Sequence, residues 1–248
     1  MTAPQAVIFD LGGTLVGWPD WDDASPLHWT AAHEYMLRAV GAGRVPGREP
    51  FVAAMCRAEA THWERVLAEQ WSGPPSGLVV EGFRTLGMVA GEAEILAALD
   101  GYALSVDGWA EVFPDAVATL GRVRDAGLRI GLLSNTWWAA AWHDADLATH
   151  GLAPLIDVVV YTSDLLHSKP HPSVFLDLAH RLEVEPAACV MVGDRPADDV
   201  AGALAAGMRG VWKTNGAPRE NAAGVVPTAT IAHLSELPAL LDAWKESG

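Results

Sequence analysis

The second half of the sequence alternates short apolar runs with amphipathic stretches, and this alternation limits the possible fold more than any other feature. From Pro114 onward the apolar runs are Arg129–Leu133, Val158–Tyr161, Cys189–Val192, RGVWKTN and TATIAHL. Helical patterns lie between them at Asp115–Ala126, PSVFLDLAHRLEV, DDVAGALAAG and Ser235–Trp244. Strands that are apolar throughout are typical of a parallel sheet covered by helices on both faces. With a further apolar run at Ala6–Phe9, the pattern predicts an α/β fold with a doubly wound parallel sheet.

Residues 17–108 have a different character, because strand patterns disappear and helical patterns broken by Gly and Pro replace them. In SPLHWTAAHEYMLRAV, Ser25 is the predicted N-cap and Pro26 the first helical position. Further helices are predicted in EPFVAAMCRAEATHWERVLAEQ and near Leu78–Leu86 and Glu92–Ser105. We therefore predict two domains: an α/β core formed by residues 1–16 and 109–248, and an all-helical insert formed by residues 17–108.

Composition excludes several classes of function. The 248 residues contain 16 basic and 31 acidic side chains, a net charge of −15, which repels nucleic acid and anionic membranes. Two distant cysteines form no metal or redox motif and suit a reducing compartment. No membrane-length apolar run or secretory signal is visible, so we expect a cytoplasmic protein. We also expect either a monomer or a homodimer.

Polar side chains follow the predicted strands at the points where the strands end. They are Asp10, the pair Ser134 and Asn135, Lys169 in the loop HSKPHP, and Asp194 with Asp198 and Asp199 shortly after it. Any one of them alone is more often a cap, a turn former or a surface charge. Because the carboxyl ends of parallel strands meet at one edge of the sheet, we expect these side chains to converge there. Lys169 is one of only three lysines in the chain, so its place in this set is not explained by composition.

Four motifs in this order resemble those of the haloacid dehalogenase (HAD) superfamily of Mg²⁺-dependent hydrolases. They are FDLGGTL with Asp10 and Thr14, LLSNT with Ser134, HSKPHP with Lys169, and VGDRPADD with Asp194 and Asp199. The resemblance covers residues 5–17 and 110–215 and implies a Rossmann-like core. The helical insert lies where that superfamily places a C1-type cap.

The resemblance implies a phosphatase that acts on a small phosphorylated metabolite. Asp10 would take the phosphoryl group as an aspartyl phosphate, and Mg²⁺ would bind Asp10, Asp194 and the backbone carbonyl of Gly12. Asp199 matches the outer acid of the metal site, with Asp198 as the adjacent alternative. The predicted phosphate-binding residues are Gly12, Gly13, Thr14, Ser134, Asn135 and Lys169, with the glycine N–H groups directed at the phosphate.

One position departs from the superfamily pattern. HAD phosphatases usually have a second aspartate two residues after the nucleophile, where this chain has Gly12. Glycine cannot transfer a proton, and general acid–base catalysis typically contributes roughly 10²–10⁴-fold to the rate. Three explanations stay open: another acid replaces it, the substrate needs no acid because it is an acyl or aryl phosphate, or the chain binds a phosphorylated ligand without hydrolysis. The candidate acids are Asp20, Asp22, Asp23, His28 and His33.

Other activities of the superfamily fit this sequence less well. A haloacid dehalogenase needs no Mg²⁺ and usually has a bulky residue where this chain has Gly12, and the pair Gly193-Asp194 argues against that activity. A phosphonoacetaldehyde hydrolase uses a cap lysine, but residues 17–108 contain none. A sugar-phosphate mutase requires the missing acid. We therefore favour a working phosphatase, with a non-catalytic binding protein as the main alternative.

Tryptophans lie close in sequence to the proposed nucleophile and to Ser134. They are Trp18, Trp21, Trp137 and Trp138. Packing between insert and core explains most aromatic residues of this kind. We hypothesise that one or two of the four form walls of the substrate pocket, which would favour an apolar or ring-bearing leaving group.

Overall fold

The computed structural model describes residues 2–216, 221 and 224–246. Its strands, in chain order, are β1 Ala6–Phe9, β2 Val16–Gly17, β3 Glu111–Val112, β4 Arg129–Ser134, β5 Val158–Tyr161, β6 Cys189–Gly193, β7 Arg209–Lys213 and β8 Ala229–Ile231. Six of them form one sheet in the order β5–β4–β1–β6–β7–β8, with every neighbouring pair parallel. The predicted parallel sheet is therefore confirmed.

The central position of β1 determines where the polar strand ends meet. Phe9 pairs with Leu132 of β4 on one side and with Val192 of β6 on the other. The chain builds the β4 and β5 half first and then returns to build the β6, β7 and β8 half. Such a reversal opens a crevice beyond the carboxyl ends of the central strands, and Asp10 follows β1 directly at this crevice.

Helices flank the sheet, as the apolar strands predict. The helices are α1 Trp21–Ala39, α2 Arg48–Glu69, α3 Pro75–Thr85, α4 Glu92–Val106, α5 Ala116–Asp125, α6 Ala140–Thr149, α7 Pro172–Arg181, α8 Ala201–Ala205 and α9 Leu237–Glu246. Residues of α5, α6 and α9 share one apolar cluster with the strands, and residues of α7 and α8 share a second. Helix α6 has no counterpart among the predicted helices.

Four helices, α1 to α4, lie between the two short strands β2 and β3, which pair with each other in antiparallel fashion. Their buried side chains form a separate apolar cluster, which Trp137 and Trp138 join from the loop after β4. None of the described helices is long and apolar enough to cross a membrane.

The start of α1 differs from the prediction. The helix begins at Trp21 and contains Pro26, so the predicted N-cap at Ser25 is wrong. The earlier start places the Trp21 ring against Trp109, with the two rings stacked at 5.7 Å. A side-chain cap at Ser25 would contribute about 1 kcal/mol. Burial of the Trp21 ring against Trp109 contributes more, so the helix starts at Trp21.

Candidate active site

The turn after β1 holds Asp10 against its neighbours. The backbone N–H of Asp10 donates to the carbonyl of Val192 at 2.9 Å, which continues the strand pairing to this residue. Gly13 follows in the left-handed region with φ 79°, a conformation that glycine adopts without strain. A Cβ at Gly13 would lie 2.5 Å from an oxygen of Asp194. Glycine at this position therefore lets the turn pass against the Asp194 carboxylate.

The Asp10 carboxylate is 6% exposed and has a partner at each oxygen. Lys169 Nζ donates to Oδ1 at 2.6 Å, and Thr14 Oγ1 donates to Oδ2 at 3.2 Å. The same Nζ donates to Asp199 Oδ1 at 2.6 Å and to the carbonyl of Leu133 at 3.0 Å. These contacts use all three hydrogens of the ammonium group, so Lys169 is fixed between two carboxylates.

Burial and charge determine the protonation of this group. Burial raises the pKa of Asp10 to about 7; Lys169 opposes that rise, and the carboxylates of Asp199 and Asp194 add to it. Burial alone lowers the pKa of Lys169, but the charges of Asp10 and Asp199 raise it above its ordinary value. Lys169 is therefore an ammonium group at neutral pH, which favours the ionised form of Asp10.

Asn135 and Ser134 lie at the end of β4, as predicted. The Asn135 amide contacts the backbone of Lys169 twice: Oδ1 accepts from the Lys169 N–H at 2.8 Å, and Nδ2 donates to its carbonyl at 2.9 Å. This geometry gives Asn135 a role in positioning Lys169. Asn135 also lines the cavity, and its phosphate contact stays a prediction. Ser134 is buried and lines the cavity beside Asp10.

Gly13 and Thr14 have hydrogen-bond partners within the turn, and their phosphate contacts stay a prediction. The N–H of Gly13 donates to the carbonyl of Val16 at 2.7 Å, which closes the turn, and Gly13 also lines the cavity. Thr14 is fully buried and contacts Asp10 through its hydroxyl. Both residues therefore shape the nucleophile turn.

Two residues that sequence reasoning missed hold the same turn. The Gly13 carbonyl accepts from Lys213 Nζ at 3.2 Å and from Asn215 Nδ2 at 2.9 Å. Lys213 is buried at the end of β7. Lys213 lies at the end of an apolar strand, as Ser134 does. The same pattern could therefore have identified Lys213 from the sequence as a candidate site residue.

Three carboxylates form a buried group beneath the turn. Oxygens of Asp10, Asp194 and Asp199 lie within 4.8 Å of one another. Both oxygens of Asp199 have protein partners, since Oδ1 accepts from Lys169 and Oδ2 accepts from the N–H of Arg195 at 3.0 Å. Asp198 lies instead in the wall of the cavity, where Oδ2 is 3.6 Å from Arg195 Nη1.

A cavity of about 420 Å³ opens above Asp10 between the sheet edge and helix α2. Trp18, Trp21 and Trp138 line it, which is three of the four tryptophans where the sequence suggested one or two. Trp137 does not; it is fully buried, its ring stacks on Trp29, and its Nε1 donates to Glu59 Oε1 at 3.3 Å. Trp63, Val66 and Leu67 of α2 also line the cavity. Their helical spacing in the sequence indicates that they share one face of the helix, but it was not taken to predict a cavity wall.

None of the replacement acids with a described side chain lines this cavity. Asp20, the residue before α1, and Asp23, on its first turn, are both exposed. His28 is buried between Tyr102 and Trp109, and His33 bonds the carbonyl of Pro46. The side chain of Asp22 is outside the described part of the structure. The first explanation for Gly12 therefore has no support from these residues.

Comparison with known proteins identifies the family. A model of haloacid dehalogenase-like hydrolases matches residues 4–207. Phosphoglycolate phosphatase of Rhodospirillum rubrum is 32% identical over 244 residues, covering 94% of this chain and 89% of that protein. Glyceraldehyde 3-phosphate phosphatase of Methanopyrus kandleri is 31% identical, but over 114 residues that span 46% of this chain and 48% of that protein.

A solved structure has a similar fold along the whole chain. The 2-haloacid dehalogenase of Pseudomonas syringae pv. Tomato is 27% identical with a TM-score of 0.67, and the match covers 97% of this chain and 99% of that one.

Proposed function

We propose that this chain is a Mg²⁺-dependent phosphatase that forms an aspartyl phosphate on Asp10 and acts on a small phosphorylated metabolite. It belongs to the haloacid dehalogenase-like hydrolase family and is a hydrolase. The observation that carries the proposal is the Asp10 carboxylate, held between Lys169 and Thr14 at the floor of a cavity of metabolite size. We further propose residues 17–108 as a C1-type cap over a core of residues 1–16 and 109–248.

The nucleophile and its partners account for the first half of the reaction. Lys169 favours the ionised form of Asp10 and places a positive charge beside the carboxylates where a phosphate would bind. An Asp10 oxygen attacks phosphorus, and the leaving-group oxygen departs with its electron pair. Ser134 lies in the cavity wall beside Asp10, within the surface that a phosphoryl oxygen would contact.

The chemistry of the buried carboxylates fits a divalent cation. Three carboxylates whose oxygens lie within 4.8 Å form a hard, anionic ligand set, which suits Mg²⁺. Burial raises the pKa of Asp10, and the charges of the other two carboxylates add to that rise. We propose Asp10, Asp194 and the Gly12 carbonyl as ligands, with Asp199 orienting the group through Lys169. When bound, Mg²⁺ supplies positive charge that offsets the charge of the phosphate.

The relatives support phosphate as the transferred group, because the two curated relatives described above are named as phosphatases. Haloacid dehalogenation is the second candidate, favoured by the structural similarity to the 2-haloacid dehalogenase. The free thiols of Cys56 and Cys189 suit a reducing compartment, and we propose the cytoplasm.

A screen with matched variants tests the proposal. Purified protein is assayed with aryl, acyl, sugar and other alkyl phosphates and with 2-haloacids, each with Mg²⁺ and with EDTA. We expect phosphate release that requires Mg²⁺ and that falls by at least about 10²-fold in Asp10→Asn and Lys169→Met. Asp242→Asn, on helix α9, is the control and should match the wild type. Halide release without Mg²⁺ supports the second candidate, and inactivity on every substrate contradicts both.

A further inference from the structure

The indole of Trp18 covers the face of Gly12 from which a side chain would project. A Cβ added at Gly12 would lie 2.9 Å from Cζ3 and 3.7 Å from Cη2 of Trp18. Gly12, Trp18 and Asp10 all line the same cavity. Because a separation of 2.9 Å is shorter than a normal carbon–carbon contact of about 3.5–4.0 Å, an acidic side chain at position 12 requires Trp18 to move.

Neighbouring rings hold Trp18 in this place. Its ring centroid lies 5.3 Å from that of Trp21, 5.6 Å from that of Trp138 and 6.1 Å from that of His143. Trp21 in turn stacks on Trp109. Contacts of this geometry are favourable between aromatic rings, so displacement of Trp18 disturbs several contacts at once. The glycine and the tryptophan therefore form a matched pair.

Several polar groups of the cavity wall already have partners within the protein. Lys169 directs its three hydrogens to Asp10, Asp199 and Leu133. Thr136 Oγ1 accepts from the Trp138 N–H and is hydrogen-bonded to His143 Nε2, both at 2.9 Å, and burial lowers the pKa of His143 and so favours its neutral form. Asp198 faces Arg195. A leaving group beside Trp18 therefore meets an aromatic surface.

We infer that Trp18 determines substrate specificity and that the substrates are phosphate monoesters of planar aromatic alcohols, whose leaving group departs as a stabilised anion. This inference rests on the proposed function. An Asp10 oxygen forms a bond to phosphorus while the phosphorus–oxygen bond to the ring breaks and its electron pair stays on the aryl oxide. Water then attacks phosphorus and releases the Asp10 carboxylate, and the protons of water end on phosphate and aryl oxide.

The first part of the test measures how the rate depends on the leaving group. Values of kcat/KM are compared for substituted phenyl phosphates, an alkyl phosphate of similar size and acetyl phosphate. Without a proton donor, the rate should fall steeply as the basicity of the leaving group rises, and the alkyl ester should be slower than phenyl phosphate by about 10²-fold or more. Acetyl phosphate, which has a good leaving group but no ring, should have a higher KM than the aryl esters.

The second part uses variants at the matched pair. Trp18→Leu should raise KM for aryl phosphates and reduce the preference for them over acetyl phosphate, with Trp18→Phe retaining most of it. Gly12→Asp alone should not increase alkyl-phosphate turnover, because Trp18 occupies the space. The double variant Gly12→Asp with Trp18→Ala should increase it by about tenfold or more. Trp244→Leu, in α9 and outside the cavity lining, is the matched control.

The outcomes separate this inference from the proposed function. Turnover of aryl and alkyl esters at similar rates, or a gain from Gly12→Asp alone, overturns the inference and leaves the phosphatase in place. Unchanged selectivity in a folded Trp18→Leu variant also overturns it. If Asp198→Asn loses turnover of alkyl esters but keeps turnover of aryl esters, then Asp198 is a proton donor and the inference is wrong. The wild-type substrate series decides the matter even where a variant does not fold.

Discussion

His143 is a titratable side chain in the wall of the cavity that the fold holds in its neutral form. Its ring is 2% exposed and lies between those of Trp138 and Tyr161, with centroids 5.2 and 5.0 Å away. Burial lowers the pKa of His143 to about 3. His143 therefore contributes shape to the cavity and no charge at neutral pH.

This neutral imidazole makes the stability of the chain depend on pH. The pKa of His143 in the folded chain lies below its ordinary value of 6.5. As the pH falls below about 6.5, the unfolded chain therefore binds a proton at this residue that the folded chain does not. The free energy of unfolding is thus highest above about pH 6.5 and decreases as the pH falls. His62, whose pKa burial lowers to about 4, acts in the same direction. We expect His143→Gln to flatten the decline by about 1 kcal/mol per pH unit between about pH 6.5 and 4.5.

Urea unfolding at a series of pH values measures this difference. Comparison of each variant with the wild type at the same pH cancels the opposite contribution of Asp10, which takes up a proton in the folded state below about pH 7. His180→Gln, at an exposed position in α7, should follow the wild type. If His143→Gln follows it as well, the buried imidazole is not the titrating group.

At the same scale, most residues of the candidate site could be predicted from the sequence. Asp10, Ser134, Lys169 and Asp194 follow apolar strands or lie in the loops after them, and parallel strands bring such positions together. The contact between Gly12 and Trp18 could not be predicted, because it depends on the path of the five intervening residues. Of the two donors to the Gly13 carbonyl, Lys213 ends an apolar strand and could have been predicted, whereas Asn215 lies beyond that strand and follows no such pattern.

Helix α2 connects the helical insert to the carboxyl edge of the sheet, where the candidate site lies. One side of it supplies Trp63, Val66 and Leu67 to the cavity wall. Beyond its end, the Ser72 N–H donates to the carbonyl of Leu166, and the Ser168 N–H donates to the carbonyl of Gln70, both at 3.0 Å. These bonds join the insert to the loop that carries Lys169. Helix α2 and the residues just after it therefore both line the cavity and support the position of the lysine.

Glu59 is the buried acceptor through which α2 contacts the loop after β4. Its carboxylate accepts from Ser25 Oγ at 2.6 Å, from Trp29 Nε1 at 3.1 Å and from Trp137 Nε1 at 3.3 Å. Glu59→Ala leaves these donors without that acceptor, at about 1–3 kcal/mol for each one left unsatisfied. We expect a total loss of about 3 kcal/mol in the free energy of unfolding, and a smaller loss for Glu59→Gln, which keeps one acceptor oxygen.

Chemical denaturation of the variants tests the Glu59 contacts. Glu69→Ala on the same helix is the control, because its ion pair with Arg65 is exposed and exposed pairs contribute about 0–1 kcal/mol. Equal losses for Glu59→Ala and Glu69→Ala are incompatible with a stabilising role of the buried carboxylate.

At the scale of elements, helices and strands were easier to predict than their ends. The parallel strands stand out because each is apolar throughout, whereas α1 starts one turn before its predicted cap. The pair β2 and β3 has only two residues in each strand, too few to form a recognisable pattern. Its residues lie far apart in sequence, so only the folded chain shows that the insert begins and ends at the same place.

At the scale of the whole molecule, the charge distribution explains why the site is built as it is. The chain carries a net charge of −15, yet the proposed ligand is an anion. Lys169 and Lys213, two of the three lysines, are buried at the carboxyl edge of the sheet. Two of the three lysines thus lie at the edge where we propose that a phosphate binds, beside the carboxylates of Asp10, Asp194 and Asp199. The fold class predicted from the strand pattern supplies that edge.

The central claim is that Asp10 accepts the phosphoryl group, and trapping of the phosphorylated enzyme tests it most directly. The protein is mixed with Mg²⁺ and an aryl phosphate, quenched in acid during turnover, and examined as intact protein and as peptides by mass spectrometry. The account predicts one phosphoryl group per chain, in the peptide that contains Asp10 and absent from Asp10→Asn. Full turnover by Asp10→Asn, or a phosphoryl group carried by any other residue, would contradict it.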